Sequence, residues 1–334
     1  MNRRALTLLA LVAAALPLAA QSYGDSPAFG GSRVFSEGLD PLGNSARFDR
    51  VPSGWYLGWE TGDWKPRGFR SDSDALGQAL AVGDAATAAA LTASLQDQPM
   101  PLRTSDIGLE YAGTGGVRFA LGHELRTGVQ MLPGNTVEAR RVEVDRMVTG
   151  AGSSDGQTAY GITFRVERVR LGAEDLPGAA PDPALAFAGT SRTALSLTSD
   201  AGFTTTLTEG VRVGLMVNRL LARHFWDVYE QPQARAGLEL DLGTLGRLSV
   251  EGDLNKAARL PLPEKQKTLS TSLRILATPT VTLVVGAERR TVDGVSATLV
   301  GATVQIATAP LRLAFGFQFG DDRPQKALGL RIGG

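Results

Sequence analysis

Cysteine is missing from all 334 residues. That excludes disulfides, thiolate-bound metals and a lipid anchor on an N-terminal cysteine. An excess of one charge is missing as well. The 34 basic and 34 acidic side chains cancel, and no block of like charge interrupts the chain. This balance gives no support to nucleic-acid binding. Aromatic residues amount to only 6% and histidine occurs twice, at His123 and His224. After Ala20 no apolar run reaches the roughly 18 residues a membrane-crossing helix needs. Nucleophile elbows, phosphate loops and dinucleotide fingerprints are also lacking. No catalytic constellation, cofactor site or metal site is therefore expected, and the chain does not read as an enzyme. A histidine-based triad would have to use His123 or His224, which read more simply as lumen and loop residues. The acidic pairs Asp72/Asp74, Glu251/Asp253 and Asp321/Asp322 lack EF-hand spacing and read as solvated turns.

What is present begins with Met1–Ala20. Two arginines, the apolar run Ala5–Leu16 and a small-residue end before Gln21 have the layout of a cleaved secretory signal peptide. The chain is expected to leave the cytoplasm. Residues 21–103 form an N-terminal segment with an irregular stretch, a first strand candidate at Gly54–Glu60 and an alanine-rich helix within Ser73–Gln98. Pro99 and Pro101 stop that helix, and Gly77 and Gly83 weaken it or divide it in two. The segment is expected to act as a plug or a cap.

Across residues 104–334 the hydrophobic period changes to two. Tyr160, Ile162, Phe164 and Val166 alternate with Gly161, Thr163, Arg165 and Glu167. Val211–Val217, Ala236–Leu242, Leu248–Leu254, Leu269–Ile275, Val281–Ala287, Leu311–Phe319 and Leu328–Ile332 repeat the pattern. Such a period puts one apolar and one polar face on each strand. The strands run to about 9–12 residues, enough for a tilted strand to cross hydrocarbon, against about 5–6 in soluble sheets. Short connections (Gly243–Gly246, Ala277–Pro279, Asp293-Gly294, Thr308–Pro310) sit among longer polar ones (Glu174–Thr190, Leu220–Gln233, Lys256–Lys265). The 40 glycines fit a membrane-spanning barrel and equally a soluble protein rich in turns. The fold class expected is all-β: a closed antiparallel up-and-down transmembrane β-barrel of about 12–14 strands. The competing expectation is a soluble periplasmic β-sandwich.

In the barrel reading Arg165, Glu167, Glu239, Asp241, Arg247, Glu251, Asp253, Arg274, Glu288, Arg312 and Arg331 face the lumen. Their mixed signs favour a plugged or narrow interior over an ion-selective pore. Trp55, Tyr56, Trp59 and Trp64 form one aromatic patch, read first as an interfacial girdle and otherwise as a lumen-side ligand shelf; Phe225, Trp226 and Tyr229 form another, read as an interface belt, a docking surface or loop packing.

The segment Ala28-Phe-Gly-Gly-Ser-Arg-Val-Phe, followed by the turn Asn44-Ser45-Ala46 and the first strand, resembles outer-membrane barrels of the fatty-acid-transporter superfamily. It looks most like the PorV/TraF-like branch, although Ser45 stands where that turn usually carries proline. The resemblance implies an outer-membrane location, an N-terminal segment in or under the lumen, and typically 14 strands. Two functions follow as expectations. One is a channel or binder for a small molecule, hydrophobic in one version. The other is a non-enzymatic partner barrel for secretion or assembly. Outer-membrane lipid is the surrounding partner in both.

Overall fold

The computed structural model describes residues 32–35, 44–50, 52–63, 75–96 except 77 and 80, 103–132, 136–177, 191–226, 228–259, 262–292, 295–319 and 325–333. Met1–Ala20, Trp64, Asp72, Asp74, Asp321 and Asp322 lie outside them.

Seventeen strands follow in chain order: β1 (Gly54–Asp63), β2 (Arg103–Ala112), β3 (Val117–Leu132), β4 (Thr136–Ser154), β5 (Thr158–Pro177), β6 (Ser191–Thr208), β7 (Val211–Asn218), β8 (Arg223–Phe225), β9 (Val228–Glu230), β10 (Gln233–Asp241), β11 (Arg247–Asp253), β12 (Ala257–Arg259), β13 (Leu262–Thr278), β14 (Val281–Val292), β15 (Val295–Thr308), β16 (Leu311–Phe319) and β17 (Gln325–Gly333). Three of them (β8, β9 and β12) are short pieces within loops. The other 14 pair antiparallel with their neighbours, and two pairings close the ring: β1 with β17 and β11 with β13. The sandwich expectation fails here, because one sheet meets itself and leaves no edge.

Closure separates two faces with opposite chemistry. Outward, Trp55, Phe164, Leu197, Phe203, Leu238, Leu269, Val300 and Phe317 are exposed. Inward, Glu124, Arg146, Arg165, Thr198, Asp200, Arg235 and Glu251 are buried. A soluble fold has the reverse polarity. An apolar outside is stable against lipid, where every backbone N–H and C=O must pair within the sheet.

The wall is uneven in height. β4, β5 and β6 have 19, 20 and 18 residues, whereas β7, β10 and β11 have 8, 9 and 7. On the low side the loops holding β8, β9 and β12 fold toward the tall wall. The β2–β3, β4–β5, β6–β7, β10–β11, β13–β14 and β15–β16 turns gather at one end. Asp293-Gly294 lies outside the described residues. One tight turn shows its chemistry clearly. The Asp155 carboxylate accepts the amides of Gln157 at 3.0 Å and Thr158 at 2.6 Å, and Gly156 takes φ 92° between them.

The alanine-rich segment forms helix α1 (Ala85–Gln96). The chain breaks before it at Gly83, which takes φ 74°, so the division expected there is the one observed. Asp84 caps α1 through the Thr87 amide at 3.1 Å and the Thr87 hydroxyl at 2.7 Å. The helix lies in the connection from β1 to β2, at the end opposite the short turns.

Two outcomes are expected. Phe164→Arg puts a charge on the lipid side of the wall and should destabilise the barrel by about 2–4 kcal/mol. Urea unfolding in vesicles measures this, and the inward substitution Thr163→Arg supplies the contrast. Hydrogen bonds from the Thr158 and Gln157 amides hold the Asp155 carboxyl below its ordinary value of 3.8. The contribution of this turn is complete above that value and is lost as pH falls through the depressed one. Exchange of the Thr158 amide should accelerate only under that acid condition.

Candidate functional site

The lumen is built between a plug at the short-turn end and a folded hairpin at the other. The plug consists of residues 32–35 and 44–50. One carboxylate does most to hold it. Glu251 Oε2 accepts the Ser32 hydroxyl at 2.7 Å and the Val34 amide at 3.0 Å, while Oε1 accepts the Arg33 amide at 3.1 Å. Arg235 Nη1 donates to the same Oε1 at 2.6 Å. Four donors thus fill a carboxylate that offers about four lone-pair sites. Ser32 in turn accepts the Phe35 amide at 3.1 Å, which curls the segment so that Val34 and Phe35 bury against Met216.

The second anchor is the Asn44-Ser45-Ala46 turn. Asn44 Nδ2 donates to Val34 O at 3.0 Å, and its Oδ1 accepts the Ala46 amide at 3.1 Å. A short 3-10 turn, Ser45–Arg50, follows and buries Phe48, over whose ring the Arg118 guanidinium lies 4.9 Å from the centroid. The wall is cut to receive this plug. Gly152, Gly161, Gly202, Gly214 and Gly237 stand on β4, β5, β6, β7 and β10, and a Cβ on any of them would collide with residues 34, 35, 44, 45 or 48.

Above the plug the lining is ionic and internally paired. Arg165 donates to Asp200 at 2.7 Å and to Glu167 at 3.3 Å, and Thr163 donates to Asp200 at 3.1 Å. Arg146 meets Glu124 at 2.8 Å. Arg235 and Thr268 converge on Asp253 at 2.9 and 2.8 Å. Glu239 pairs with Arg212, and Glu110 with both Arg118 and Arg331. Glu288 binds Arg290 at 2.9 Å. Desolvated charges of this kind persist only when partnered.

The hairpin β8–β9 closes the mouth by two means. Its charges lock onto the wall: Arg223 bridges Glu167 and Glu230, Arg219 lies 3.5 Å from Glu230, and the Arg219 amide donates to Asp200 at 2.7 Å. Its apolar residues Phe225 and Val228 pack on Val142 and Val144 of β4, Val169 and Leu171 of β5, and Ala258 of β12. Trp226, at φ 53°, packs on the edge of this cluster. The cluster is an apolar patch in a described lining that is largely charged and hydroxyl-bearing, and sequence reasoning missed it. Val142, Val144, Val169 and Leu171 share their strand phase with Arg146, Arg165 and Glu167, so alternation assigns them no special place.

Of the expected lumen residues, Arg165, Glu167, Glu239, Glu251, Asp253 and Glu288 are buried inside. Arg274, Arg312 and Arg331 are half-buried in the inward phase. Asp241 and Arg247 are different. They flank the β10–β11 turn, 3.8 Å apart and about half exposed, at the rim rather than in the lumen. Two aromatic expectations are corrected. Tyr56 points inward, buried beneath Arg331 and donating its hydroxyl to Pro52 O at 2.6 Å, because it alternates with the outward Trp55 and Trp59. Phe225 is inside the mouth and 3% exposed, because its hairpin folds back over the lumen. Trp55 is exposed beside Tyr111, 5.0 Å between ring centroids, and Tyr229 is also exposed. His123 faces outward against Asp145 at 2.7 Å, and His224 is exposed next to Tyr229. Among the described residues no group of three acidic or histidine side chains is arranged to hold a metal ion.

Replacing Glu251 by Gln should release the plug, since hydrogen bonds to a charged acceptor are worth about 1.5–3 kcal/mol each. Tryptic cleavage after Arg33 in the folded barrel should become faster, and conductance in planar bilayers should rise. Unchanged cleavage would show that the Asn44 turn suffices to hold the plug.

No family model matches the chain, and no curated protein matches it in sequence. Solved structures do match. The chain covers 92% of itself and 95% of a CymD monoaromatic hydrocarbon channel at TM-score 0.58 and 11% identity. For the toluene transporter TodX of Pseudomonas putida the shares are 95% and 98%, at TM-score 0.57 and 13% identity. For a FadL homologue of Pseudomonas aeruginosa they are 95% and 97%, at TM-score 0.55 and 10% identity. The PorV/TraF-like branch finds no confirmation among these neighbours. The chain shares with these solved structures the fold of a closed 14-strand antiparallel β-barrel.

Proposed function

We propose that this protein is a non-enzymatic outer-membrane channel that admits a small apolar molecule from the long-loop side and passes it toward the plug. The observation that carries this reading is the apolar cluster at the mouth. Val142, Val144, Val169 and Leu171 form an oily wall inside a lumen whose described lining is largely ion pairs and hydroxyls. Water gives no reason to place those residues there. Phe225 and Val228 occupy that wall as a guest would, on a hairpin tethered by its own ion pairs. A hydrocarbon that displaces them exchanges one apolar contact for another, so the cost of opening is small compared with entry into an ionic lumen. The solved channels of this fold for toluene and monoaromatic hydrocarbons support the substrate class.

The inward arginines and carboxylates act in this reading as a self-neutralised lining that binds no particular ion. Residues 1–20 act as the export signal, removed on secretion. The secretion-partner alternative is not favoured by the solved channels of this fold; of its two docking candidates, Trp226 packs on the mouth cluster and Tyr229 is exposed.

Toluene entry into liposomes bearing the protein, followed with an enclosed reporter, tests the proposal. Val144→Asp with Val169→Asp should lower entry about tenfold while heat-modifiable migration on gels still reports a folded barrel. Entry equal to that of the parent protein would overturn it.

A further inference from the structure

The outward faces of β13 and β14 carry a charged surface that passage through the lumen does not use. Along these strands the outward residues run Ile275, Leu273, Thr271 and Leu269 on one, and Leu283, Val285, Ala287 and Arg289 on the other. One row further on stand Lys267 and Thr291, then Lys265. Lys265, Lys267 and Arg289 are all exposed. Their described outward neighbours on β11, β13, β14 and β15 include no acidic residue. Among the described residues the polar companions in the same row are hydroxyls: Thr291 and Ser296 lie 2.9 Å apart, next to Lys267.

The height of the cations matters. From Val281 at the short-turn edge to Thr291 is about ten residues, which at about 3.3 Å each and a tilt of about 40° rises about 25 Å. That is the thickness of the apolar band of an outer-membrane barrel, so the three cations stand where hydrocarbon gives way to headgroups. Phe319, in the row below Arg289 and 55% exposed, supplies an aromatic at the same boundary. The opposite wall shows the contrast. There the outward cations Arg168 and Arg170 are paired with Asp145 and Glu143 on the neighbouring strand, at 2.5 and 3.3 Å. A cation at a lipid boundary without an acidic neighbour is complemented by an anionic headgroup, and phosphate accepts from guanidinium and ammonium together.

We propose that Lys265, Lys267 and Arg289 form a binding site for a phosphorylated glycolipid headgroup of the outer leaflet, its acyl chains lying on Leu269, Val285 and Phe319. The site rests on the outer-membrane reading, since the long-loop end is then the outer-leaflet end. The test uses the folded, detergent-solubilised protein and bis-phosphorylated lipid A, with retained lipid counted by native mass spectrometry. The parent should retain lipid A, and the triple variant Lys265→Gln, Lys267→Gln, Arg289→Gln should lose affinity at least about tenfold. Dephosphorylated lipid A should bind the parent as weakly as lipid A binds the variant. Should the triple variant fail to show heat-modifiable migration, Arg289→Gln alone serves, with a smaller loss expected. Equal retention by parent and variant, or equal retention of phosphatidylethanolamine by the parent, would overturn the proposal. Toluene entry should be the same in parent and variant, so failure of the lipid site and failure of the channel reading remain distinguishable.

Discussion

Hydrocarbon accepts no hydrogen bonds, and the rest of this molecule follows from that. A strand placed in lipid must pair on both edges, so the sheet has to close, and β1 has to find β17 although most of the chain separates them. Once it closes, the apolar phase of every strand belongs outside and the polar phase is enclosed. Enclosed charge is tolerable only when paired. Hence Arg165 sits between Asp200 and Glu167, and Arg235 between Glu251 and Asp253. The mixed signs of the lining are thus a consequence of enclosure before they are a feature of transport.

A closed ring of this size would enclose water unless it were filled. The plug fills the short-turn end, and its fit is set by what the wall omits. Where residues 34, 35 and 44–48 approach, β4, β5, β6, β7 and β10 each present glycine. The single carboxylate of Glu251 then fixes the position of the segment by satisfying three of its donors. At the other end the unequal strand lengths leave a tall wall facing a low one, and the loops of the low side fold across. Plug and hairpin solve the same problem by opposite chemistry: a hydrogen-bonded anchor at one end, an apolar cluster with an ionic tether at the other.

Much of this was legible in the chain. Tyr160–Glu167 and Val281–Glu288 state which phase is apolar, and long strands joined in sequence imply up-and-down pairing. The Asn44-Ser45-Ala46 turn was noticed through its resemblance to a family motif, while its bond to Val34 O belongs to the folded plug. Three things were not. Tyr56 and Phe225 were read as aromatics without regard to the phase of β1 or the fold-back of β8–β9. Asp241 and Arg247 share the lumen phase but sit at a turn, where phase no longer implies burial. The inward valines of β4 and β5 share their phase with charged residues, so the period of two does not single them out.

The sequence by itself determined the two faces of each strand and the order of the hairpins, because each depends on residues close in the chain and on a period of two. The tertiary structure decided which carboxylate meets which arginine, which glycines face the plug, and that an oily patch lies under a hairpin more than fifty residues away. Those are contacts across the ring, set only when the sheet closes and brings distant strands to a common height.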